Sequence, residues 1–274
     1  MFSRNIGLIT QEDQDKLQGA SVLVCGVGGM GGVASEVLVR MGIGKIKIAD
    51  FDRYEPHNSN RQIHCNAKNY DRYKVDVLEE EFRSINPNLK IESFNEGVTK
   101  DNIEDLLDDV DIVINGMDEM FYSLILERAA RRKNITIVDA WITPFASVFV
   151  MTPDSPHWEE YLDLCTKNTA VEDLTPELCN QAVREEVDFT FSHFSPYKYI
   201  SKDLVDKIVT KEATRPSFTP VVWLSGVLMA NEAYKVICGL PHTDHLGVFF
   251  DQYEFQLTNA GSKSKKGKQV KKVA

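Results

Sequence analysis

A glycine-rich turn at residues 26–31 (GVGGMG) holds the first residues in this sequence that could do chemistry. It follows a short apolar run at 22–25 and precedes an amphipathic helical pattern at 33–41. Because glycine has no Cβ, the backbone N–H groups of such a turn can approach phosphate oxygens closely. The turn therefore predicts a nucleotide-binding loop between a strand and a helix.

An acidic strand end follows roughly twenty residues beyond the turn, where a βαβ unit places a carboxylate beside a ribose. Here Asp50 and Asp52 come directly after the apolar residues at 46–49. Dinucleotide-binding folds read G-x-G-x-x-G, and in this turn Gly28 and Gly29 stand side by side. The turn and the acids together predict a nucleotide, while the glycines alone do not say which nucleotide binds.

A second polar cluster follows the acidic strand end. Asn58, Arg61 and Gln62 come first, Lys74 lies twelve residues beyond Gln62, and Asp118 follows an apolar run. Each position falls at or just beyond the carboxyl end of a predicted strand, which is the edge where open α/β sheets bind ligands. Taken singly, a basic residue is usually solvated and an aspartate after a strand is often a helix cap. Together they predict a nucleoside triphosphate site with Mg²⁺, because cations balance phosphate charge and a carboxylate holds the metal.

Alternating strands and helices position these residues in the first half of the chain. The predicted strands are 21–25, 45–49, 89–94, 111–115 and 135–139, and the predicted helices are 14–18, 30–41, 70–85, 100–107 and 119–132. This alternation predicts an α/β fold with a Rossmann-like, doubly wound and mostly parallel sheet covered by helices on both faces.

The pattern changes beyond residue 143. It predicts a strand at 147–151, helices at 158–165, 176–186, 202–210 and 218–237, and an edge strand at 248–256. We expect one domain over 1–261, made of a nucleotide-binding half (1–150), a helical crossover insertion (151–217) and a C-terminal helix with an edge strand (218–257). Residues 262–274 are lysine-rich and are expected to form a disordered tail.

Composition limits the class of protein. The net charge is −10 although the C-terminal tail is basic, and so acidic a body disfavours a broad nucleic-acid surface. The sequence starts without a signal-peptide pattern and we expect no membrane span. Five scattered cysteines without a C-x-x-C pair favour a reducing compartment and argue against structural zinc. A cytoplasmic location is therefore predicted.

The motifs together resemble the ubiquitin-activating-enzyme-like adenylyltransferase superfamily, which includes ThiF, MoeB and HesA. The glycine loop, Asp-x-Asp, Asn-x-x-Arg-Gln, a downstream lysine and a second aspartate carry this resemblance. It covers about residues 3–152 and resumes at 216–235. Residues 60–64 and 84–87 are also similar to the tRNA threonylcarbamoyladenosine dehydratase branch.

The resemblance implies a role for each matched residue. Its nucleotide-binding residues would be Gly26, Gly28, Gly29, Met30, Gly31, Asp50, Asp52, Asn58, Arg61, Gln62 and Lys74. Arg61, Lys74 and Asp118 would be catalytic, with Asp118 binding Mg²⁺. Arg4 matches an arginine that reaches across a homodimer to the triphosphate of the partner subunit. ATP and Mg²⁺ are thus the implied substrate and cofactor.

The implied reaction is attack by an acceptor carboxylate on the α-phosphate of ATP, which gives an acyl-adenylate and pyrophosphate. The implied acceptor is the free C-terminus of a small protein or peptide. Zinc-holding relatives use two C-x-x-C pairs, but here 162–165 keeps one sulfur and 211–215 has none. Cys165 and Cys179 are the candidates for a later thioester, although such a thiol is usually incidental.

Two other functions remain open on the sequence. One is an ATP-dependent enzyme that acts on a small molecule or a tRNA nucleoside. The basic tail weakly favours tRNA as the substrate, and the acidic body argues against it. The other is a non-catalytic, nucleotide-binding scaffold subunit. Retention of Arg61, Lys74 and Asp118 together argues against the scaffold. An NAD oxidoreductase is less consistent still, because it would not need these charges around a phosphate chain.

Overall fold

The computed structural model describes residues 1–141, 144–193 and 196–259. The predicted tail at 262–274 therefore lies outside the described residues. The strands are β1 (Ser21–Cys25), β2 (Lys45–Ala49), β3 (Lys90–Phe94), β4 (Ile112–Asn115), β5 (Thr136–Asp139), β6 (Ala146–Met151), β7 (Val248–Asp251) and β8 (Gln256–Asn259). The α-helices are α1 (Gln11–Gly19), α2 (Gly29–Met41), α3 (Lys74–Ile85), α4 (Ile103–Leu106), α5 (Met120–Arg132), α6 (Trp158–Tyr161), α7 (Pro176–His193), α8 (Lys202–Val209) and α9 (Thr219–Cys238).

All these strands form one sheet in the order β3-β2-β1-β4-β5-β6-β7-β8. The first five strands in this order are parallel, and β6, β7 and β8 add antiparallel strands at one edge. The predicted Rossmann-like, mostly parallel sheet with later extensions is therefore confirmed. In register, Val22 of β1 lies between Ile46 and Ile112, so the glycine turn after β1 lies at the centre of the sheet.

The central strand β1 is buried on both faces, as expected for a parallel sheet with helices on each side. Val22 and Val24 belong to the core under α2 and α9, whereas Leu23 and Cys25 belong to the core under α5. This alternation follows from the two-residue period of a strand. Each fully buried valine or leucine side chain contributes about 2 kcal/mol of transfer free energy. This burial stabilises β1 and fixes the position at which the glycine turn begins.

Helix α9 packs directly on α2, the helix that follows the glycine turn. A Cβ at Gly226 would lie 2.6 Å from the carbonyl oxygen of Met30 and 2.8 Å from Cβ of Val33, so this close approach requires glycine. Within the described part of the chain, α9 is the one helix long and apolar enough to cross a membrane. Half of its most apolar window is buried in the protein, in the manner of a core helix.

Several predicted element boundaries are wrong, including those of the helices expected at 14–18, 100–107 and 158–165, which are Gln11–Gly19, Ile103–Leu106 and Trp158–Tyr161. The helix expected from residue 70 begins at Lys74, because Asp71 is left-handed (φ +64°) and closes a turn against the carbonyl oxygen of Tyr54. The helix expected to end at 186 continues to His193. The edge strand expected at 248–256 is instead the β7–β8 hairpin, with Phe255 at φ +53° in its turn.

Arg128 on α5 anchors the start of the crossover insertion. Its guanidinium forms a two-pronged ion pair with Glu159 (2.8 and 2.9 Å) and donates to the carbonyl oxygens of Thr166 and Thr169. The Glu159 side chain is 1% exposed and that of Arg128 is 13% exposed. This residue therefore ties α6 and the following loop to α5.

Loss of Arg128 should destabilise the fold strongly. We expect Arg128→Ala to lower the free energy of unfolding by about 3 kcal/mol, because it leaves Glu159 buried without a cation. Urea unfolding monitored by circular dichroism measures the change. Arg132→Ala is the matched control, because its ion pair with Glu104 is exposed and should contribute at most about 1 kcal/mol. Equal losses in the two variants would contradict the anchoring role.

Candidate functional site

The glycine turn is shaped partly by the protein's own packing. Gly26 has φ +79°, and a Cβ there would lie 2.7 Å from the backbone of Gly116 after β4. A Cβ at Gly31 would lie 1.9 Å from the carbonyl oxygen of Gly26. At Gly28, by contrast, the nearest atom to a built Cβ is Nε2 of Gln62 at 3.6 Å. Packing thus explains Gly26, Gly31 and also Gly29, whose Cβ would lie 2.5 Å from a valine side chain, whereas only a predicted site residue bounds the space beside Gly28.

The turn leads into the N-terminus of α2, a helix of 13 residues. Gly28 is the N-cap, no side chain caps the helix among the described residues, and its first turn carries no acid. Uncapped N–H groups and the helix dipole make such an end a site for anions. Met30 lies in this first turn with its side chain buried, so only its backbone faces the site. The end of α2 therefore suits a phosphate group.

Asp50 holds the glycine turn in place. One carboxylate oxygen accepts the backbone N–H of Val27 at 2.8 Å, and the other accepts that of Asp52 at 2.9 Å. The side chain is 9% exposed, and burial raises the pKa of Asp50 while nearby Lys74 opposes the rise. The sequence predicted a ribose contact for this acid. The structure adds that the same carboxylate sets the shape of the loop.

Lys74 lies between two carboxylates. As the first residue of α3 it is buried, and its Nζ lies 2.7 Å from Asp52 and 3.7 Å from Asp50. The Asp52 side chain is half exposed, so a phosphate oxygen could replace it as the partner of the ammonium group. Lys74 is thus positioned at the carboxyl end of β2, where the sequence predicted it, with its charge already matched by the protein.

A 3₁₀ turn at Pro56–Asn60 positions the next three predicted residues. Asn58 is buried, and its side-chain oxygen accepts the N–H of Glu55 at 3.0 Å. Its carbonyl oxygen accepts the N–H groups of Arg61 and Gln62. Asn58 therefore shapes this turn and carries the two following side chains toward the glycine loop.

Gln62 and Arg61 present unused polar groups beside the glycine loop. Oε1 of Gln62 is buried and has no hydrogen-bond partner among the described residues. The Arg61 guanidinium donates to Oδ1 of Asn60 at 2.9 Å and has no carboxylate within ion-pair distance in the described part of the chain. A buried amide without a partner costs free energy unless a ligand satisfies it. The Arg61 guanidinium therefore fits an anionic ligand, whereas Oε1 of Gln62 is an acceptor and needs a donor such as a ligand hydroxyl or a metal-bound water.

A segment at 215–223, here called the return strap, closes the site from the far end of the crossover insertion. Nδ2 of Asn60 donates to the carbonyl oxygen of Ser217 at 2.8 Å, and the Thr219 hydroxyl donates to the carbonyl oxygen of Asn60. Nε1 of Trp223 donates to the carbonyl oxygen of Arg61 at 2.8 Å. Sequence reasoning missed this wall, because no local signal links positions some 160 residues apart.

Asp118 lies on the other side of the glycine turn. The N–H of Gly116 donates to the carbonyl oxygen of Cys25 at 2.7 Å, which keeps the loop after β4 beside the end of β1. The Asp118 side chain is exposed and has no hydrogen-bonding or ion-pair partner among the described residues. An unpaired carboxylate facing solvent beside a phosphate site suits Mg²⁺, which binds through one or two carboxylates and phosphate oxygens. Across residues 1–141, 144–193 and 196–259, no cluster of three or more metal-ligating side chains is present.

Arg4 and the insertion cysteines lie away from this cluster. Arg4 is exposed in the N-terminal turn before α1 and has no ion pair with a described residue of its own chain. Cys179 is buried and Cys165 is partly exposed. Burial and Glu185 raise the pKa of Cys165 to about 11, and burial raises that of Cys179. Thiols with raised pKa are poor nucleophiles, which disfavours the thioester predicted as an alternative.

A buried carboxyl group lies at the end of β5, one strand beyond Asp118. Asp139 accepts Nδ2 of Asn115 at 2.8 Å and the N–H of Ala140 at 2.6 Å. Burial raises its pKa from 3.8 to about 8. The folded protein therefore keeps a proton on Asp139 that the unfolded chain loses above about pH 4.

This proton makes stability depend on pH. As pH rises from 5 to 8, Asp139 should reduce the free energy of unfolding by up to about 1.4 kcal/mol per pH unit. In Asp139→Asn the fall of stability with pH should be smaller by this amount, whatever the offset at pH 5. Urea unfolding at four pH values measures both slopes. A variant slope equal to that of the wild type would show that Asp139 is ionised in the folded protein.

The fold and this geometry define the class of protein first. A doubly wound sheet with a glycine turn at the carboxyl end of its central strand is a Rossmann-like α/β protein of the kind that binds nucleotides at that edge. The family follows from comparison with known proteins. The chain belongs to the ThiF family, whose model matches residues 2–271.

Relatives of several activities share this family. The chain is 27% identical over 215 residues to the tRNA threonylcarbamoyladenosine dehydratase of Bacillus subtilis, covering 77% of this chain and 82% of that protein. It is 27% identical over 161 residues to the molybdopterin-synthase adenylyltransferase of Haemophilus influenzae, covering 57% of this chain and 66% of that protein. The crystal structure of E. coli MccB with MccA has the same fold, with a TM-score of 0.67 at 19% identity, covering 90% of this chain and 65% of that chain. The chain thus spans slightly less than two thirds of the last two proteins.

Proposed function

We propose that this chain is an ATP- and Mg²⁺-dependent adenylyltransferase that activates the C-terminal carboxylate of a small ubiquitin-like or sulfur-carrier protein, or of a peptide. The observation that carries the proposal is the set of unsatisfied groups around the glycine turn. Among the described residues, the Gln62 amide oxygen has no hydrogen-bond partner, the Arg61 guanidinium has no carboxylate partner, and the Asp118 carboxylate has no cation. A triphosphate would accept from Arg61, and a divalent cation with its bound water would pair with Asp118 and donate to Oε1 of Gln62.

The residues of the chain would act by positioning and charge. The end of α2 and Arg61 would hold the phosphates, Asp50 the ribose, and Lys74 a phosphate oxygen in exchange for Asp52. Asp118 would hold Mg²⁺, which neutralises charge on the phosphates. An oxygen of the acceptor carboxylate forms the new bond to the α-phosphorus, and the bond to the bridging oxygen breaks so that pyrophosphate leaves with the electron pair. No protein nucleophile is needed, and the chemistry of the chain ends at the adenylate.

A protein or peptide acceptor is favoured over nucleic acid by charge. The net charge of the chain is −10. An acidic surface repels a polyanion at long range, whereas a C-terminal tail brings one carboxylate into a groove. Within the proposal, residues 1–261 act as one adenylation unit in the cytoplasm, where five free cysteines stay reduced.

The product of ATP cleavage tests this proposal. The protein is incubated with Mg·ATP and a mixture of small proteins and peptides ending in free Gly-Gly, or with the same peptides as C-terminal amides. With hydroxylamine present to cleave the acyl-adenylate, we expect AMP and pyrophosphate with the free carboxylates and neither with the amides, because the amide has no attacking oxyanion. Release of ADP instead of AMP would contradict adenylyl transfer.

A tRNA-modifying activity is the second candidate, because the match to the B. subtilis dehydratase covers most of both chains. The same assay with total tRNA as acceptor separates the two. AMP release with tRNA and none with free peptide carboxylates would favour the dehydratase-like function. A non-catalytic scaffold would cleave ATP with neither.

We also propose a homodimer in which Arg4 reaches the nucleotide of the partner subunit. Its exposed position and lack of a partner in its own chain support this arrangement. Arg4→Ala and Asp118→Asn chains mixed in equal amounts should regain about a quarter of wild-type AMP release, because about half of the dimers are mixed and each has one complete site. Each variant incubated alone is the control. Activity of the mixture no higher than the controls would refute a contribution across the dimer.

A further inference from the structure

Arg215 is an arginine beside the Asp118 loop, and the proposed function gives it no role. It lies at the start of the return strap, 97 residues from Asp118 in sequence, and its Nη2 donates to the Asp118 carbonyl oxygen at 3.4 Å. The strap then continues to the contacts of Ser217, Thr219 and Trp223 with the turn around Arg61. Arg215 is therefore at one end of a wall that spans the site from the Asp118 loop to the Arg61 turn.

The charge of Arg215 has no direct partner. Among the described residues, no carboxylate lies within ion-pair distance of its guanidinium, and the side chain is partly exposed. Six arginines of the described chain pair with carboxylates, as Arg128 does with Glu159 and Arg184 with Asp206, whereas Arg215, like Arg61, does not. The acid whose field Arg215 does feel is Glu186 on α7, and burial raises the pKa of Glu186 to about 7. At neutral pH that carboxyl group balances Arg215 only in part.

The site needs another cation once its substrates bind. Its carboxylates (Asp50, Asp52 and Asp118) outnumber its cations (Lys74 and Arg61) even before a nucleotide is added. Mg²⁺ offsets only part of the charge on ATP, and an acceptor carboxylate adds one more negative charge. Close approach of like charges in a partly buried site is unfavourable unless a positive group lies between them.

We propose that Arg215 binds an oxyanion of the reacting substrates beside Asp118, either a phosphate oxygen of the nucleotide or the carboxylate of the acceptor. A guanidinium suits both, because its planar set of donors matches phosphate and carboxylate oxygens in pairs. The weak 3.4 Å contact with a carbonyl oxygen leaves most of these donors available. The inference rests on the proposed function, since it assumes the same triphosphate site.

The experiment is isothermal titration with two probes. The first is the non-hydrolysable analogue AMPCPP with Mg²⁺, and the second is glycylglycine added to protein saturated with AMPCPP. The variant is Arg215→Gln, because its amide can still donate to the Asp118 carbonyl oxygen but carries no charge. Arg215→Lys restores the charge, and Arg184→Gln removes an arginine from an ion pair outside the site. Thermal unfolding of each variant shows whether the fold is kept.

The two titrations show whether Arg215 binds the nucleotide or the acceptor. If Arg215 binds a phosphate, Arg215→Gln should weaken AMPCPP binding about tenfold and Arg215→Lys should restore most of it. If it binds the acceptor, AMPCPP binding is unchanged and glycylglycine binding to the loaded protein is lost. The proposal is overturned if Arg215→Gln and the wild type bind both probes with equal affinity. It is also overturned if the two proteins bind AMPCPP equally and neither binds glycylglycine. If the wild type itself does not bind AMPCPP, the proposed function is overturned as well. No other outcome of this titration bears on the proposed function.

Discussion

Asp118→Asn should abolish adenylation while leaving the fold intact. We expect a fall of about a thousandfold in AMP release, because the substitution removes the carboxylate that would hold Mg²⁺ and with it several kcal/mol of charge stabilisation. The side chain is exposed and unpaired among the described residues, so the free energy of unfolding should change by less than about 0.5 kcal/mol. Steady-state AMP release and urea unfolding measure the two effects.

The neighbouring Glu119→Gln is the matched control for Asp118. It removes an exposed carboxylate one residue away, at the start of α5, where no side-chain cap bond is lost. We expect activity within about twofold of the wild type. A second readout is the Mg²⁺ dependence of AMPCPP affinity, which should weaken in Asp118→Asn alone. Full activity in Asp118→Asn would show that the metal is held elsewhere.

Lys74→Met should remove both activity and stability. Activity should fall by at least about a hundredfold, since a phosphate contact is lost. The free energy of unfolding should fall by about 3 kcal/mol, because Asp50 stays buried without the cation 3.7 Å away. Removing Lys74 raises the pKa of Asp50 further above its unfolded value of 3.8. The stability loss should therefore be larger at pH 8 than at pH 4, because only the unfolded chain gives up this proton easily.

The double variant Asp50→Asn with Lys74→Met separates the two effects. It contains no buried charge at this place, so much of the lost stability should return while activity stays low. Urea unfolding at pH 4 and pH 8 and AMP release provide the comparison. If the double variant were as unstable as Lys74→Met at pH 8, the charge of Asp50 would not be the cause.

The local parts of the fold and the site could be predicted from sequence. The glycine turn, Asp50, Arg61 and Lys74 lie within two βα units, where strand period, turn chemistry and strand-end rules act over short distances. The parallel order of β1, β2 and β4 follows from the same alternation of strands and helices. The sequence therefore indicated which edge of the sheet carries the site.

The distant parts could not be predicted. Arg215 and Trp223 reach the site through the return strap, and their contacts depend on the packing of α9 against α2. No local pattern encodes such long-range contacts. The second role of Asp50 could not be predicted either. An acid at the end of a strand has the same sequence pattern whether it contacts a ribose or accepts the N–H of Val27. The left-handed Asp71, which delays the start of α3, depends on a turn against Tyr54 rather than on propensity.

Direct titration of nucleotides into the wild-type protein tests the central claim, that the glycine turn and its surrounding charges form a site for Mg·ATP. AMPCPP with Mg²⁺ should bind at one site per chain, AMP should bind more weakly, and NAD⁺ should show no saturable binding. The same titration in the presence of EDTA should show weaker AMPCPP binding, because Asp118 then has no cation to share with the phosphates. Saturable binding of NAD⁺ with none of AMPCPP would contradict the account.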